Sequence, residues 1–195
     1  MQRDKLSVCC HEAGHAVASV LNGDTLLLLV CDPHAEMTAV QRALYVSGDR
    51  CKGERGNVMK QHKEWNCECG VGTARNRSNP IESEYCVDLD CAGCREFVIS
   101  FLACIYAGGM ATRLLMPDAH SDADMGFDIA AAARIVEGLE PKGQQGETIV
   151  RQSIMRAQDW IQQEPRAVWA LAKALARAAV LDGEEAERII NANRY

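Results

Sequence analysis

The chain has 195 residues, 48% of them apolar and 25% charged, with a formal net charge of −6. That length suits one sizeable core and favours a single domain over 1–195, while the composition excludes disorder of the whole chain. The acidic balance offers no electrostatic footprint for nucleic acid, so a protein or peptide partner is the expectation.

No consecutive apolar run reaches the ~18–20 residues of a membrane span, and Leu26 to Cys31 is strand-sized, so no membrane span is expected. Ten cysteines without a recognisable signal peptide suggest reduced thiols or metal ligands, and hence a cytoplasmic protein.

A first helix is predicted from near Asp4 to Leu21, ended by Asn22-Gly23-Asp24. Inside it lies His11-Glu12-Ala13-Gly14-His15, an HExxH zinc-peptidase signature. Residues four apart share one helix face, so both imidazoles can grip a single metal ion. Glu12 leans over the same edge, placed to take a proton from the water that occupies a catalytic zinc's open position. The alternative is a histidine pair on a solvated face. Against it, Val8, Cys9, Cys10, Ala13, Ala16, Val17, Ala18, Val20 and Leu21 surround the motif with small or apolar side chains, so the helix reads as buried nearly all round. Uncompensated imidazoles and a carboxylate are costly there, and a metal removes much of that cost. Two ligands require a third from farther along. His34 does not fit the spacing of an HExxHxxGxxH site.

Leu26 to Cys31 and Ala39 to Ser47 read as a pair of strands or a small sheet, whose exposed edge could take up substrate backbone. From 49 to 93 hydrophobic periodicity disappears, and the stretch reads as a Cys-rich insertion. Cys67 and Cys69, with Cys91 and Cys94, form a candidate second, structural metal site, although a CxC pair is not the usual knuckle spacing. A core helix follows from Arg95 to about Met116. Its Gly108-Gly109 pair lowers helix propensity and implies a packing reason, such as close approach to the metal-bearing helix. Ser121 caps a further helix through Glu137 or Gly138, entered by Asp122, Asp124 and Asp128. After a linker at 138–146, helices are predicted over Glu147–Gln162, Pro165–Val180 and Glu184–Asn191.

In this order the elements resemble the peptidase domain of the FtsH family, ATP-dependent zinc metalloproteases of bacteria and organelles. His11-Glu12-Ala13-Gly14-His15-Ala16 matches that family's HEAGHA, and Gly108-Gly109-Met110-Ala111 is similar to its GGRA run. Phe127-Asp128-Ile129, with Ala132 and Ile135-Val136 behind it, resembles the segment that carries the family's third ligand. Arg156-Ala157, Leu171-Ala172, Ala174-Leu175 and Leu181-Asp182-Gly183-Glu184-Glu185 resemble its C-terminal helices. The resemblance implies a mainly α-helical fold with a small β element and a zincin-like HExxH helix. It also implies zinc ligands at His11, His15 and Asp128, and a catalytic Glu12. A match shifted by one turn would choose Asp124 as the third ligand. The chain departs from the family in lacking a GxxxxGK loop and a membrane span, and Arg113-Leu114 stands where the family tends to carry acidic residues.

The expected function is that of a zinc metalloendopeptidase acting on proteins or unfolded peptides. The alternative is a catalytically silent, FtsH-like zinc-binding scaffold or interaction module. ATP-driven unfolding is not expected of the chain alone, which leaves a separate ATPase or self-association as candidate partnerships.

Overall fold

The computed structural model describes residues 2–32, 34–38, 41, 57–61, 65–66, 73–74, 87–119 and 125–194. Among these, helix α1 (Gln2–Asn22) leads into strand β1 (Thr25–Val30), followed by β2 (Asn57–Gln61), β3 (Trp65–Asn66) and β4 (Thr73–Ala74). Helices α2 (Ala92–Leu115), α3 (Gly126–Gly138), α4 (Gln145–Gln163) and α5 (Pro165–Ala178) come next, then β5 (Val180–Asp182) and α6 (Gly183–Ala192). A 3-10 turn at Pro117–Ala119 follows α2. The fold is mainly α-helical with a small β element, as expected.

Helix α1 is central because its side chains are small and apolar on several faces. Cys9, Cys10, Ala13, Ala16, Val17 and Ala18 are fully buried, and the helix packs against α2, α5 and β1. Close approach to α2 is enforced at Gly14, where a Cβ would stand 2.6 Å from the Ala107 carbonyl oxygen and from Ala111 Cβ. Helix α2 is buried along most of its length and also packs on α4. By length and composition it could cross a bilayer, a property that counting consecutive apolar residues overlooks, since Ser100, the Gly108-Gly109 pair and Thr112 divide the run. However, most of the helix is buried inside the fold, the environment of a core helix. Each fully buried large side chain, such as Leu102 or Leu171, contributes ~1.5–3 kcal/mol relative to exposure.

The first of the expected strands is present, in a small three-stranded sheet. Strand β1 lies between β2 and β5 and is antiparallel to both, pairing with 57–61 and 180–182, while the strand expected over Ala39 to Ser47 falls almost wholly outside the described residues. Of that stretch only Gln41 is described, and it is helical. The Gln41 backbone N–H donates to Thr38 Oγ1 at 3.2 Å, and the Thr38 N–H donates to Gln41 Oε1 at 2.9 Å. This reciprocal pattern is that of a capping box at a helix start. A register shift between Leu26 and Leu28 changes the phase of β1, as a bulge does. Leu26 and Leu29 therefore join the main core while Leu28 and Val30 pack in a separate cluster with Leu27, Met37 and Val180.

Helix α5 stops at Ala178 rather than running through Val180. Ala179 turns left-handed, with φ of 62°, and its carbonyl accepts from the Cys31 N–H at 2.9 Å, which joins β5 to β1. A left-handed alanine costs ~1–2 kcal/mol, and with no glycine there the sequence carries no stop signal.

Candidate metal site

The site lies where α1, α2 and α3 meet. Helix α1 supplies His11 and His15 from one face, and Asp128 enters from the first turn of α3. His11 Nε2 stands 3.0 Å from His15 Nε2, and Asp128 Oδ2 lies 3.1 Å and 3.4 Å from those two nitrogens. The three residues form a group that can hold a metal ion.

Several observations test the fit. A tetrahedral ion bound to nitrogen and oxygen at ~2.0–2.1 Å spaces its ligands ~3.3 Å apart, which agrees with the observed triangle. Asp128 Oδ2 is buried and makes no well-formed hydrogen bond despite its two imidazole neighbours, so its lone pairs are free to meet a cation. His15 Nδ1 lies 2.8 Å from the Cys104 carbonyl of α2. Donation there fixes the proton of the neutral ring on Nδ1 and turns the Nε2 lone pair inward, the usual outer-sphere arrangement of a metal-bound histidine. Two imidazoles with one carboxylate suit a transition ion such as zinc better than the harder magnesium or calcium.

The electrostatics point the same way. Burial alone pushes the His15 imidazolium down, yet the adjacent Asp128 carboxylate more than reverses this and holds the group at about 9. Burial likewise raises Asp128, but His15 and His11 pull it far below the ordinary carboxylate range. The cluster thus attracts positive charge, and a proton and a metal ion compete for the same lone pairs.

Glu12 is 7% exposed and lies outside the ligand group. Burial raises its pKa, while His11 and His15 oppose the shift and Asp128 adds to it, so its carboxyl is close enough to feel all three.

The glycine pair in α2 has the packing role that its sequence suggested. A Cβ on Gly108 would collide with His15 Nε2 and stand 2.7 Å from His15 Cε1 and 2.8 Å from His11 Cδ2. Gly108 is thus the floor beneath both rings. Its carbonyl accepts from the buried Thr112 hydroxyl at 3.0 Å, bracing the helix there.

Among the other candidates, Asp124, Cys67 and Cys69 lie outside the described residues. Cys91 is half-buried just ahead of α2 and Cys94 is buried within it. Among the described residues His11, His15 and Asp128 are the one group of three or more potential ligands. The Cys104 carbonyl was invisible in the sequence, because every residue carries one. No protein-family model matches the chain, and a search of curated proteins found none similar to it.

Proposed function

We propose that the chain is a zinc metallopeptidase of the FtsH peptidase kind, hydrolysing peptide bonds in unfolded proteins or peptides. The observation that carries this reading is the converging Nε2, Nε2 and Oδ2 triangle with the buried Glu12 carboxyl beside it. When bound, zinc supplies Lewis acidity and brings the pKa of a water down to ~7. His11, His15 and Asp128 hold the ion, and the Cys104 carbonyl keeps His15 in the required tautomer. Glu12 accepts the proton of the attacking water and returns it to the leaving amine. Its buried position strengthens electrostatic interactions during that transfer.

The protein purified without added metal is expected to carry zinc at about one ion per chain, and His15→Ala to carry nearly none. Zinc retained in full by His15→Ala would move the ion to another site. Incubation with unfolded peptides then separates the enzyme from a silent scaffold. Zinc-loaded chain that leaves a broad peptide library intact would favour the scaffold, whereas cleavage without ATP supports the enzyme.

A further inference from the structure

The two histidines sit on a deeply packed helix, but the third ligand does not. Among residues of α3 only Ala132 is buried, while Phe127 is 80% exposed and Ile129 46%. Asp128 is therefore carried by a lightly anchored helix, although a metal site tolerates only ~0.5 Å of misplacement in its ligands. Helical spacing puts Met125, Asp128 and Ala132 on one face, three and then four residues apart. That face meets α2 at Gly109. A Cβ added to Gly109 would overlap Met125 Sδ and stand 2.5 Å from Met125 Cγ. The Met125 side chain thus fills the space where Gly109 lacks a side chain, one turn before Asp128 and just ahead of the helix start.

We propose that Met125, seated in the socket at Gly109, is a positioning residue that delivers the Asp128 carboxylate to the metal. The inference rests on His11, His15 and Asp128 being the metal site, and it divides the labour of the glycine pair. Gly108 leaves room for the imidazoles, and Gly109 leaves room for the anchor of the third ligand. Methionine suits the socket because its unbranched side chain can enter a narrow gap between helix backbones. With the anchor withdrawn, Ala132, Ile135 and Val136 still hold the later turns of α3 to the core, but the first turn and its carboxylate lose their fixed approach to the histidines.

The test is zinc affinity of the full chain, measured by competition with a chromophoric chelator. Losing an outer-sphere support typically weakens metal binding ~10–100-fold, and that loss is expected for both Met125→Ala and Gly109→Ala. Met125→Leu, which conserves volume, should stay within ~3-fold of wild type. The decisive comparison is Met125→Ala in an Asp128→Ala background, where it should change affinity by less than ~2-fold, because its effect passes through the missing carboxylate. Wild-type affinity in Met125→Ala would overturn the proposal. So would an undiminished further loss in the Asp128→Ala background, which would mark Met125 as general packing. If Asp128→Ala itself binds zinc as tightly as wild type, the metal-site reading fails and this inference falls with it. Should Gly109→Ala not fold, Met125→Ala and its double variant still decide the matter.

Discussion

Glu12→Gln is expected to keep one zinc ion per chain and to cleave an unfolded casein-like substrate ~10²–10⁴-fold more slowly than wild type. The residue is buried beside the ligand triangle without belonging to it, so glutamine should occupy the same volume while being unable to accept the water's proton. Burial already disfavours the charged carboxylate, so replacing it by a neutral amide should not lower the melting temperature by more than a few degrees. Measured beside the rates, zinc content and melting temperature distinguish lost chemistry from a lost fold. Equal cleavage by the two proteins would place the activity at another site or in a contaminant.

Gly183→Ala should have the largest effect on stability. Gly183 opens α6 directly after β5, and an added Cβ there would overlap the Leu26 carbonyl group, with Leu27 N 2.7 Å away. Those are backbone atoms of the central strand, which cannot swing aside as a side chain tip can. The helix is also tied to that strand by the Leu26 N–H donating to Glu187 Oε1 at 2.7 Å, a bond that a displaced α6 would weaken. Overpacking against backbone is expected to cost at least ~3 kcal/mol, lowering the melting temperature by ~6–12 °C for a domain of this size. Gly138→Ala, at the end of α3 with open space around it, is the control and should be neutral or slightly stabilising. A similar melting temperature for both variants would mean that α6 does not press on β1 as described.

What was legible in the sequence is what local spacing determines. The placement of His11, Glu12 and His15 on one helix follows from the 3.6-residue period, and Pro165 marked the start of α5 by its fixed backbone angle. The glycine pair announced a close approach, though not that one glycine would underlie the imidazoles and the other receive Met125. The partners of β1 were illegible because pairing with 57–61 and 180–182 is non-local and leaves no signature in the strand itself. By contrast, the reciprocal hydrogen bonds of Thr38 and Gln41 match an S/T-x-x-Q spacing that the sequence displays openly. Asp128 became a candidate through resemblance, and three-dimensional proximity brings it to the histidines from more than a hundred residues away.

The central claim, a zinc ion held by His11, His15 and Asp128, is tested most directly by zinc-edge X-ray absorption on the purified, zinc-containing protein. The expected spectrum shows only nitrogen and oxygen neighbours at ~2.0–2.1 Å, with the outer-shell scattering of two imidazoles. Sulfur neighbours at ~2.3 Å would instead place the ion on cysteine thiolates and contradict the assignment.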